Sequence, residues 1–100
     1  MTAANRDEAG RIAEMLVNAR LAACVQILPE IQSIYCWQGE VARESEVLLL
    51  AKTASGRFDD LVSRVTAIHS YETPEIIALP VAAAAEPYLK WLRDSLSEGS

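Results

Sequence analysis

One hundred residues suffice for one domain with its own core and are too few for two. The apolar share of 51% excludes disorder, which needs low hydrophobicity and high charge. A net charge of −5, with nine Lys and Arg scattered among fourteen acids, excludes a nucleic-acid binder, because a phosphate backbone requires a basic face.

Ala9, Ile12, Ala13, Leu16 and Val17 recur at helical spacing, which predicts an amphipathic helix over 6–20. Asn5 is its expected N-cap, with Glu8 as capping-box partner. The composition then turns to strand from Ala22 to Leu28. Pro29 cannot donate to a ladder and predicts a bulge or an edge. Ile31 to Trp37 resumes the strand, with Ser33, Tyr35 and Trp37 on one face and Gln32, Ile34 and Cys36 on the other. Gly39-Glu40 reads as a turn, and Val41 to Lys52 returns as the second arm of a long hairpin. Within it, Val47 to Ala51 is apolar throughout and suits a strand covered on both faces.

Phe58, Leu61, Val62, Val65 and His69 mark a second helix, with Ser55 as its expected cap. Glu75 to Val81 reads as a short strand ended by Pro80. Pro87 opens a last helix with Tyr88, Trp91, Leu92 and Leu96 as its apolar stripe, and the tail from Ser97 to Ser100 is expected to fray. The order helix, strand, strand, helix, strand, helix is the α+β, ferredoxin-like pattern without its first, central strand. Residues 1–4 can supply only a stub of that strand. An upstream apolar segment is therefore expected to complete the sheet, since the neighbours' ladder groups would otherwise lack partners.

No apolar run approaches the roughly 20 residues of a membrane span, and the first residues lack a signal-peptide pattern. A cytoplasmic protein is expected, with Cys24 and Cys36 as free thiols. In extended chain those two would lie up to roughly 40 Å apart, beyond disulfide reach.

The segment His69-Ser70-Tyr71-Glu72-Thr73-Pro74-Glu75 gathers the single histidine, a tyrosine and two carboxylates on a loop. Together with Arg20 to Val25, Ser33-Ile34-Tyr35-Cys36-Trp37-Gln38-Gly39, Glu46 to Thr53 and Tyr88 to Leu92, it resembles the CutA family over residues 2–96. That resemblance implies a ferredoxin-like fold related to the PII proteins, a homotrimer built on the long hairpin, and a role in divalent-cation tolerance. Copper-binding members place a cysteine at the end of the first strand and a histidine pair before the Tyr-x-Thr-Pro-Glu motif. Here the cysteine position falls near Met1, and of the pair only His69 remains, beside Ile68.

His69, Cys36 and Glu72 are the candidate ligands for copper or another divalent ion, weakly bound. Each has a plainer role: His69 at a helix end, Cys36 as a small hydrophobe and Glu72 as a solvated acid. Tyr35 and Trp37 are assigned to the subunit interface, where aromatic residues concentrate. Lys52 is expected to pair with an acid inside or between subunits. No Ser-His-Asp set, CxxC, P-loop or GxGxxG occurs, so no catalytic function is expected. The alternative to a metal-responsive trimer is a PII-like signalling trimer that takes a small anionic metabolite or a protein partner in an intersubunit cleft. Its mark would be a basic cleft, built from Arg20, Arg43, Lys52 or Arg57.

Overall fold

In the computed structural model, residues 1–97 are described. The expected fraying of the tail lies mostly outside them. Strand β1 is Thr2–Ala3, helix α1 Arg6–Asn18, strand β2 Cys24–Trp37 and strand β3 Glu40–Lys52. A 3₁₀ turn, Ser55–Arg57, leads into α2, Phe58–Ile68, and α3 spans Glu86–Leu96. The antiparallel sheet has the order β1-β3-β2.

Helix α1 begins as its sequence dictates. Asn5 Oδ1 accepts the Glu8 N–H at 2.9 Å. The Glu8 carboxylate does not return to the Asn5 amide, as a capping box requires. It accepts from Ala4 N and reaches across to Ser70. The helix closes in a Schellman motif, with Arg20 at φ 57°. The Leu21 N–H donates to Leu16 O and the Arg20 N–H to Val17 O. That closure folds Leu21 back onto Leu16, and both belong to the core.

The core lies between α1, α2 and one face of the sheet. Ile12, Leu16, Leu49 and Val65 are its largest fully buried side chains, each stabilising the fold by about 1.5–3 kcal/mol. Val47 and Leu49 point inward at 3% and 1% exposure, whereas Leu50 is 45% exposed. The apolar run of β3 is therefore covered on one face only, contrary to the two-sided burial its composition predicts. The helices pack on one side, and among the described residues no layer covers the other.

The hairpin register slips between Leu28 and Ile31, so Pro29 sits at a bulge as expected. The turn lies one residue earlier than predicted. Trp37 pairs with Glu40, and Gln38 and Gly39 take φ 51° and 83°, the left-handed pair that a two-residue hairpin loop requires. Ser55 opens the 3₁₀ turn and does not cap α2, whose start carries no side-chain cap. Pro87 does lie in the first turn of α3.

The strand expected over Glu75 to Val81 does not form; residues 74–85 carry no regular structure. Its template in the sheet would be β1, which is two residues long and pairs with β3 at Leu48 and Val47. So short an edge offers too few ladder groups to hold a further strand. Ile76 still packs against the core, while Ile77, Leu79 and Val81 stand 65%, 81% and 78% exposed.

Candidate functional site

The two singled-out sequence stretches meet. The outer half of β2 and the loop after α2 form the walls of an open cleft of about 660 Å³. Tyr35 and Trp37 line one side, Tyr71, Glu72 and Glu75 the other, with Glu46 and Thr2 also contributing. Period-two alternation places Tyr35 and Trp37 on one face of β2. The loop is long because the sheet leaves residues 74–85 unpaired, and long ordered loops are common carriers of binding groups.

Two hydrogen-bonded systems hold this loop. Glu8, 4% exposed, accepts from Ala4 N at 3.0 Å, Ser70 N at 2.7 Å and Ser70 Oγ at 3.0 Å. Burial alone would push its carboxyl up, but these bonds and the nearby His69 hold it below the ordinary value. The second system runs through His69. The Tyr71 N–H donates to His69 Nδ1 at 3.0 Å, so Nε2 carries the hydrogen in the neutral ring and donates to Thr2 O at 2.9 Å. The Tyr71 ring lies 4.8 Å from the imidazole, and its hydroxyl donates to Glu46 Oε2 at 2.9 Å. Burial, then the bond to Glu46 and the charges of Glu46 and Glu8, push the Tyr71 phenol up to about 12. It therefore stays a neutral donor at neutral pH.

The candidate ligands are not brought to one point. His69 has both ring nitrogens engaged in hydrogen bonds. Glu72 lines the cleft. Cys36 is exposed near the hairpin tip, and strand alternation turns it to the face opposite Tyr35 and Trp37. Among the described residues, no group of three or more His, Cys, Asp and Glu could hold a metal ion. The described donors of one chain therefore do not assemble a metal cage. Tyr35 and Trp37 are 42% and 60% exposed in the single chain.

Within the chain, Lys52 bonds to Gln26 Oε1. The cleft lining contains no Lys or Arg. Arg20 donates to Ser95 O and Arg57 to Leu96 O, both at the end of α3. Glu8 and Glu46 are the site residues that sequence reasoning missed. Glu8 was legible only as a helix cap, and the one signal for Glu46 is an acid placed directly before an apolar run. No helix is long and apolar enough to cross a membrane among the described residues.

Comparison with known proteins gives one consistent result. A family model described as CutA1 divalent ion tolerance protein matches residues 1–95. The divalent-cation tolerance protein CutA of Thermus thermophilus is 50% identical over 95 residues, covering 95% of this chain and 92% of that one. Human protein CutA is 45% identical over 93 residues, covering 93% of this chain. The chain spans about half the length of that human relative, 52%, as it does of several plant and animal relatives. The solved Thermus thermophilus structure superposes with a TM-score of 0.92 at 50% identity, covering 94% of this chain and 91% of that one. The structure of the periplasmic divalent cation tolerance protein CutA of Archaeoglobus fulgidus gives 0.93 at 36% identity, covering 96% and 93%. The α+β architecture is thus the ferredoxin-like, PII-like fold, and the chain belongs to the CutA1 divalent ion tolerance family.

Proposed function

We propose that this chain works in divalent-cation tolerance as a homotrimer that takes up copper or another divalent ion weakly and catalyses no reaction. Membership of the family carries this reading. Support for assembly comes from apolar surface that the single chain leaves uncovered. Trp37, Val41, Leu50, Ile77 and Leu79 are all 45% exposed or more, beyond what a small monomer usually displays.

His69 is the central metal contact in this reading, with Cys36 or Glu72 as helpers from the same or a neighbouring subunit. Coordination at His69 Nδ1 would displace the Tyr71 N–H, and coordination at Nε2 would displace the bond to Thr2 O. Either exchange offsets part of the metal's binding energy, which is the physical reason for weak affinity. The protein is expected in the cytoplasm.

Isothermal titration with Cu(II) tests the metal role. Wild type should bind weakly, and less so as the pH is lowered, because a protonated imidazole cannot ligate. His69→Ala should bind at least tenfold more weakly. Undiminished binding in that variant would move the site to the acidic surface. No binding in either protein would remove metal uptake from the function of this chain.

The signalling alternative needs a basic cleft for an anionic metabolite. Glu46, Glu72 and Glu75 line the cleft with no Lys or Arg among its residues, which favours the cation-responsive reading.

A further inference from the structure

The outer hairpin has two unlike faces. Residues paired directly across two strands share a face, and the register runs without a shift from Ile31/Glu46 to Trp37/Glu40. Outward from that start, the first face carries Ser33, Tyr35, Trp37, Glu40, Ala42 and Glu44. The second carries Gln32, Ile34, Cys36, Val41, Arg43 and Ser45. Each face exposes apolar side chains, Tyr35 and Trp37 on the first, Ile34 and Val41 on the second. Their charges are opposite in sign. The charged residues of the first face are carboxylates, and Arg43 is the one charged residue of the second. The ion pair among the described residues joins Lys90 to Asp94, so Glu40, Glu44 and Arg43 are left without an ion pair inside the chain.

A contact on one face alone would leave the apolar side chains of the other in water. The hairpin therefore calls for two neighbours, one on each face. A twofold contact is isologous and sets like face against like, acid towards acid or arginine towards arginine. A heterologous contact sets first face against second and closes into a ring when the rotation allows. The register also builds a seat for the arginine. Ala42 is the smallest side chain of its row and stands between Glu40 and Glu44, each about 7 Å away along the strand. Tyr35 pairs directly across from Ala42, and its ring is a flat surface on which a guanidinium can stack.

We infer that the first face of each outer hairpin receives the second face of another copy of this chain, with Arg43 of one protomer seated over Ala42 of the next, against Tyr35 and between the Glu40 and Glu44 carboxylates. This rests on the assembly proposed above and deepens it, since it names the charged contact that makes the packing head-to-tail. It uses neither His69 nor a metal.

The test is sedimentation of the full chain in the urea concentration that half-dissociates the wild type, with the fold followed by circular dichroism. Arg43→Glu places an acid between acids and should raise the protein concentration needed for half-assembly about tenfold. Glu44→Arg brings arginine towards arginine and should do the same. The double variant exchanges the two charges and should return to within about threefold of wild type. Arg11→Glu, at an exposed position of α1, makes the same change in net charge and should leave assembly unaltered. High salt should shrink the penalty of Arg43→Glu. Assembly of Arg43→Glu equal to that of wild type, a double variant as weak as the single ones, or an equal loss in Arg11→Glu overturns this contact and leaves the trimer standing. A folded wild-type monomer in the absence of urea removes the assembly itself and the contact with it, so the two failures are distinguishable.

Discussion

Glu8 shows how much one side chain can organise. It stands in the first turn of α1, where a carboxylate favours the positive end of the helix dipole. It also holds Ser70 through two hydrogen bonds and so fixes the start of the cleft loop. Glu8→Ala should cost about 3 kcal/mol, because several buried donors lose a charged acceptor at once. Chemical denaturation of wild type and variant checks this. The pH dependence has a definite sign. The carboxyl is held below its ordinary value of 4.5 in the folded chain. Its contribution is therefore fully present above the unfolded value and is lost as the pH falls through the lower, folded one. Glu8→Gln should flatten the acid limb of the stability curve; an unchanged limb would mean that other carboxylates set it.

At the scale of elements, α3 depends on two arginines from elsewhere in the chain. Arg57 Nη2 donates to Leu96 O at 2.6 Å and Arg20 Nη1 to Ser95 O at 3.1 Å. These meet the last carbonyls of the helix, which lack intrahelical donors and form its negative end. Leu96 is the buried anchor of the helix, while Trp91 stays 48% exposed. Arg57→Ala should therefore loosen α3 selectively. Amide exchange in residues 89–96 should quicken about tenfold, while α1 keeps its protection. Uniform quickening across both helices would instead indicate a loss of global stability. The last helix was legible from its periodicity and from Pro87. Its attachment was not, since Arg57 lies 39 positions before its acceptor.

At the scale of the whole molecule, the chain measures 46 × 27 × 22 Å, elongated by a hairpin far longer than the rest of its sheet. Trimerisation should cover the outer hairpin. Sedimentation of the wild type at micromolar concentration should show a single trimeric species, and a well-folded monomer would refute the assembly. Trp37→Glu should shift the distribution toward monomer, because it would place an unpaired charge in a desolvated contact. The same assembly would give Ile77, Leu79 and Val81 an apolar neighbour that the single chain withholds.

The sequence alone determined the features that rest on neighbours along the chain. Helical spacing placed α1, α2 and α3, Asn5 announced the first cap, and Pro29 announced the bulge, because each acts through a few adjacent residues. The family was legible too, since its motifs are contiguous stretches. Tertiary structure decided what depends on partners far away in the chain. The run Val47 to Ala51 reads as buried on both faces until the helices are seen to pack on one side. The strand over Glu75 to Val81 has the right composition but lacks a template, because its neighbour β1 is two residues long. His69 and Glu72 were chosen for their chemistry, but a side chain's availability depends on what already bonds to it. Only the fold shows that both His69 nitrogens are occupied. Only the fold shows that Glu46, distant from the loop in sequence, accepts the hydrogen bond of the Tyr71 hydroxyl.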